Sequence, residues 1–87
     1  MNCEIGSLIR ERREELGVTQ MDCAKRLRLT SPQYISNIER GLCMPSLQTV
    51  VVLSDFLKID GHKLIDCLVE AYSHRLRAKY RRFSRKK

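Results

Sequence analysis

Between Gly17 and Gly41 the chain carries two helix-start signals with a break between them, and neither run is long enough for many turns. Thr19 offers an N-cap to a run through Cys23, Ala24 and Leu27, about two turns long, whose short apolar face is framed by Asp22, Lys25 and Arg26. The break falls at Arg28, Leu29 and Thr30. The stretch Thr30-Ser31-Pro32-Gln33 then opens the second run in one of two ways. Either Thr30 and Gln33 form a capping box, or Ser31 caps and Pro32 takes the first helical position. This second run is expected from about Pro32 to Arg40. It turns Ile35 and Ile38 toward a core and leaves Gln33, Tyr34, Ser36, Asn37 and Arg40 facing out before Gly41 ends it.

The flanks read as helix as well. Ile5, Leu8, Ile9 and Leu16 recur at helical spacing among charges, and Gly17 follows as a left-handed stop. Pro45-Ser46 opens a fourth run with Leu47, Val50, Val51, Leu53, Phe56 and Leu57. The β-branched content of Val50 to Leu53 also fits a buried strand, but the apolar spacing on both sides and the Pro-Ser start favour helix. After Asp60-Gly61, an apolar stripe continues by steps of three and four through Leu64, Ile65, Leu68, Val69, Tyr72, Leu76, Tyr80 and Phe83. The chain is thus expected to be all-α, a five-helix bundle with an extended C-terminal helix. Its 87 residues support one modest core.

Charge divides the chain unevenly. Eight cations and no acid lie between Arg75 and Lys87, whereas residues 1–74 hold nine cations and ten acids. The formal charge of +7 therefore belongs to the tail. Residues 1–74 read as the body, and 75–87 as a basic helical extension. Cys3, Cys23, Cys43 and Cys67 have no paired spacing that would put two thiolates on one metal, and His62 and His74 lack partners at ligand spacing. No metal or other cofactor is expected. The cysteines read as small hydrophobes rather than as a disulfide framework, with Cys3 and Cys43 the more exposed. No apolar run approaches a membrane span, and the start lacks a basic-then-apolar signal, which predicts a cytoplasmic chain.

The combination Val18-Thr19-Gln20, Ala24, Leu27, Tyr34-Ile35-Ser36-Asn37-Ile38-Glu39-Arg40-Gly41 and Pro45-Ser46-Leu47 resembles the Xre/Cro family of phage-repressor-like helix-turn-helix regulators over about residues 5–70. Such a motif needs a small residue where its two helices cross, apolar inner faces, and hydrogen-bonding side chains on the outer face of the second helix. Ala24, then Cys23, Leu27, Ile35 and Ile38, and then the amides of the third helix meet those needs. The resemblance implies that Gln20 touches a backbone phosphate and that Gln33, Tyr34 and Asn37 read bases. It places Ser36 and Arg40 nearer the backbone and pairs Arg13 with Glu39 as a structural ion pair. Three features depart from the family pattern. Arg28 stands where a turn glycine is common, in a turn one residue longer than usual. Leu42-Cys43-Met44 replaces a loop that is often basic, and Val52 an often charged position that implies a covered surface.

Each feature also has a plainer reading. Gln33 and Asn37 can be ordinary solvated amides, and Tyr34 can pack its ring on the body. The basic tail can be a solubilising end. Against that, Tyr72, Leu76, Tyr80 and Phe83 interleave with the cations at helical spacing. A second copy burying that stripe is preferred over a membrane surface, with Arg77 and Lys79 left to phosphates and Val52, Tyr72, Leu76 and Tyr80 at the dimer interface. The expected function is sequence-specific binding of double-stranded DNA by a homodimeric transcriptional repressor. The alternative is an antitoxin or adaptor that grips a protein partner through its fifth helix, with autoregulatory DNA binding. No nucleophile and base, phosphate loop or metal set points to an enzyme.

Overall fold

A computed structural model describes residues 4–84; Cys3 and the last three cations, Arg85, Lys86 and Lys87, lie outside the described residues. The described residues form five helices and no strand: α1 (Ile5–Leu16), α2 (Gln20–Arg26), α3 (Gln33–Glu39), α4 (Leu47–Phe56) and α5 (Gly61–Ser84). Helix α3 packs between α1 and α2, α4 joins α2 to α5, and α5 returns to touch α1. The shared core contains Ile9, Cys23, Ala24, Ile35, Ile38, Val50, Leu53, Leu57 and Leu64, all essentially inaccessible to solvent. Val50 and Leu53 lie in the helix, and the strand alternative for that stretch does not form.

Local chemistry sets each helix end. Thr19 and Asp22 form a reciprocal capping box on α2: the Asp22 N–H donates to the Thr19 hydroxyl at 3.0 Å and the Thr19 N–H to the Asp22 carboxylate at 2.8 Å. That backbone bond, followed by the one with the Thr19 side chain, holds the Asp22 carboxyl below the usual carboxylate range. At the start of α3, Pro32 is the N-cap rather than the first helical residue. The Gln33 N–H reaches the Ser31 hydroxyl at 3.3 Å, but no side chain caps the helix, so neither the Thr30 box nor a Ser31 cap with Pro32 in the first turn forms, and α3 starts one residue later than expected.

Four helices end on a residue of positive φ: Gly17, Arg28, Gly41 and Lys58. After α2 the Leu29 N–H bonds the Ala24 carbonyl at 2.9 Å and the Arg28 N–H the Lys25 carbonyl at 3.0 Å, which is the Schellman pattern. The missing turn glycine therefore leaves the backbone geometry intact, with Arg28 itself left-handed at φ 61°.

Gly6 on α1 allows the closest approach in the bundle. A Cβ there would lie 2.4 Å from the Ile38 carbonyl oxygen and 2.9 Å from that of Glu39, so α1 meets the end of α3 backbone to backbone. Burial pushes the Cys23 thiol up to about 11, which keeps it a protonated filler at neutral pH. Cys67, also buried, is disulfide-bonded, contrary to the expectation of four small hydrophobes.

Candidate nucleic-acid interface

A buried polar cluster fixes α3 against α1 and α2. The Arg13 guanidinium donates to both Glu39 carboxylate oxygens, at 2.8 and 3.2 Å, and to the Val18 carbonyl at 3.0 Å. Their side chains are only 13% and 3% exposed. Gln20 adds a third arm, its amide N–H donating to Glu39 Oε1 at 3.0 Å. The bonds to Glu39, opposed by desolvation, hold the Arg13 guanidinium above its ordinary range. One carboxylate thus ties the end of α1, the first residue of α2 and the last of α3, which fixes the angle at which α3 is presented.

On the outer side of α3, Gln33 and Asn37 sit one turn apart, and the Gln33 amide donates to the Asn37 side-chain oxygen at 2.9 Å. Gln33 is exposed and Asn37 half-buried, so the two amides form one hydrogen-bonding edge. Arg40 is exposed and Ser36 half-buried beside them. Tyr34 is turned more toward the body: its hydroxyl lies 3.1 Å from the Thr49 hydroxyl and accepts from the Ser46 N–H at 3.4 Å. Ser46 and Thr49 also bond each other at 3.0 Å, so the buried Thr49 hydroxyl is satisfied at the start of α4. Tyr34 therefore braces α3 on α4 and keeps its phenol oxygen engaged there.

Beside Tyr34 an open groove of about 620 Å³ runs along the α2–α3 turn and the start of α4, lined in part by Arg26, Arg28, Gln48 and Val52. Arg26 is held over the Phe56 ring at 4.7 Å. Val52 lies half-buried in this groove, away from the α5 stripe, because its face of α4 is turned to α2. The cation pair Arg26 and Arg28 was not singled out from the sequence, since their nearness to α3 depends on the left-handed turn. On the opposite side, Arg75 from α5 reaches the Gly41 carbonyl at 3.4 Å and shares a smaller cleft with Arg40, which brings the first tail cation to the end of α3.

The family model for the helix-turn-helix domain matches residues 4–64. The chain belongs to the helix-turn-helix domain family. This agrees with the Xre-like resemblance carried by the Thr-Gln, Ile-Glu-Arg-Gly and Pro-Ser-Leu stretches, and a helix-turn-helix domain points to DNA binding. No curated protein and no solved structure matches the chain. The matched segment ends early in α5, so most of the long helix, with Tyr72, Leu76, Lys79 and Tyr80, lies beyond it. Arg77 and Lys79 are exposed on that part, as are Tyr72, Leu76 and Tyr80. Among the described residues no group of His, Cys, Asp and Glu is placed to hold a metal ion, and no helix is long and apolar enough to cross a membrane.

Proposed function

We propose that the protein is a sequence-specific transcriptional repressor that binds double-stranded DNA as a homodimer, with α3 in the major groove. The observation that carries this reading is the Gln33–Asn37 edge on the outer face of a helix whose inner face and end are pinned by Glu39. Side-chain amides suit the donor and acceptor pattern of adenine in the major groove. Tyr34 contributes to reading only through its accessible ring edge, since its hydroxyl serves α4. Gln20 spends one amide hydrogen on Glu39 and has a second for a phosphate. Ser36, Arg40 and the α5 cations, Arg77 and Lys79 among them, supply the other backbone contacts.

A homodimer fits because Tyr72, Leu76 and Tyr80 stand exposed on one face of α5, an arrangement a lone soluble chain does not need. Half-sites of a pseudo-palindrome would then lie about 34 Å apart. Residues 75–87 act in this reading as a basic extension of the bundle. The test is Asn37→Ala, measured on an operator recovered from random DNA and on unrelated DNA. We expect a loss of about 1–3 kcal/mol on the operator, with relaxed preference at one base position. Equal loss on both DNAs would remove the base-reading role.

The same exposed stripe supports a second reading, an antitoxin or adaptor that offers α5 to another protein. Size-exclusion chromatography with light scattering separates the two: a stable dimer supports the first, a monomer at all concentrations the second.

A further inference from the structure

We infer that the groove between the α2–α3 turn and the start of α4 takes the sugar-phosphate backbone of one DNA strand, with Arg28 and Arg26 each holding a phosphate. This rests on the DNA-binding reading above and adds a contact surface on the flank of α3 that the contacts proposed there leave bare. An α-helix with its side chains is about 10–12 Å across and the major groove of B-DNA about 12 Å wide, so a helix seated there has a phosphate backbone along each flank. On α3 the flanks are marked by Tyr34 and Ser36, roughly 160° apart at 3.6 residues per turn, with the Gln33–Asn37 edge between them. The Ser36 flank has its contacts in Ser36 itself and in Gln20, which bonds Glu39 roughly 60° further round the helix.

The Tyr34 flank borders the groove directly. Tyr34 lines it, bonded through its hydroxyl to Ser46 and Thr49, and Arg26, Arg28 and Gln48 are among the other lining residues. None of the lining residues is acidic, and among the described residues neither arginine forms an ion pair. Both arginines are exposed, as is Gln48, whose amide adds uncharged donors. The loop leading into Ser46, residues 41–45, carries no cation, so the positive charge on this flank comes from the end of α2 and the turn.

Both arginines are also anchored. The Phe56 ring holds Arg26 at 4.7 Å without a carboxylate, so its charge is not neutralised. Arg28 stands on backbone fixed by the two Schellman bonds. A guanidinium meets two oxygens of a phosphate with parallel N–H bonds, which makes arginine the better of the two basic side chains for this task. An acidic peptide would satisfy the same charges. The place of the groove along α3 selects the nucleic acid, because a strand that walls the major groove around α3 has to pass it.

Arg28→Gly tests the groove in the full chain, because at φ 61° glycine is the relaxed residue and the substitution removes the cation while keeping the turn. Its urea midpoint should equal or exceed that of the unsubstituted protein, so that lost affinity is not lost fold. Affinity for the operator and for random DNA should fall by the same factor, about fivefold at physiological salt, and the slope of log affinity against log salt should drop by about one, as for the loss of one phosphate contact. Arg26→Gln should behave alike, and the two substitutions together should lower the slope by about two. Arg28→Lys keeps the charge and should retain most of the affinity and the slope. Unchanged slopes in both Arg28→Gly and Arg26→Gln overturn the groove as a backbone site, leaving it to an acidic peptide, while the DNA reading stands. Loss confined to the operator, or a lysine variant no better than the glycine one, overturns it too, since a phosphate contact is blind to sequence and depends on charge. An unsubstituted chain with no measurable affinity for any DNA overturns the DNA reading, and the groove with it.

Discussion

Gly6 and Gly61 both lie in the first turns of helices, and propensity alone treats an alanine at either as an improvement. The two sites differ in what a methyl group would meet. At Gly61 the nearest atom is the Ser54 hydroxyl at 3.7 Å, an ordinary contact. At Gly6 it is the Ile38 carbonyl oxygen at 2.4 Å, backbone that cannot swing aside. Gly6→Ala is therefore expected to cost about 1–3 kcal/mol as α1 is forced off α3, while Gly61→Ala is neutral or gains up to about 1 kcal/mol. Urea denaturation of both variants checks this, and equal shifts in midpoint would show that α1 and α3 do not meet so closely. The close approach at Gly6 was not legible in the sequence, because a glycine among helix formers carries no sign of what stands across from it. Arg28 and Lys58 show the same limit. Gly17 and Gly41 announce their left-handed turns, whereas two cations adopt the same φ: both Schellman bonds form around Arg28, and beside Lys58 the Ile59 N–H bonds the Ser54 carbonyl at 2.9 Å.

Between elements, the angle of α3 depends on one carboxylate. Periodicity, caps and stops were enough to find all five helices, since each signal acts within a few residues of its own position. The Arg13–Glu39 pair joins positions far apart in the chain and entered only through the family resemblance; the Gln20 arm that completes it is visible only in three dimensions. Tyr34 and Val52 illustrate the same boundary, because which of two neighbouring helices a half-buried side chain leans on is a packing outcome. Glu39→Leu should cost about 3–5 kcal/mol, since it leaves the Arg13 guanidinium unpaired in a site that excludes most water. Adding Arg13→Leu should recover much of that stability, as buried ion pairs are often replaceable by apolar side chains. Operator affinity should not recover with it, because Gln20 still lacks its acceptor and α3 its tether. Denaturation and DNA binding measured on the same pair of variants separate stability from orientation. Full recovery of binding in the double variant would show that Glu39 has no part in presenting α3.

At the scale of the molecule, the proposed DNA binding divides reading and attraction between different places. The body is nearly neutral and the Gln33–Asn37 edge proposed to read bases is two uncharged amides, while α5 carries cations out along a molecule 50 Å in its longest dimension. Most of the salt-dependent affinity should then come from α5 and from the cations near α3, Arg26, Arg28, Arg40 and Arg75. Lys79 isolates this contribution, because it is exposed on the flank of α5 that lacks acids and outside the apolar stripe. Lys79→Ala should weaken operator and random DNA by the same factor and lower the slope of log affinity against log salt by about one. Arg77→Ala, at the other exposed α5 cation assigned to the backbone, should do the same. Titrations of both variants on operator and random DNA at several salt concentrations check this. A salt slope left unchanged by either substitution would remove that cation from the DNA interface.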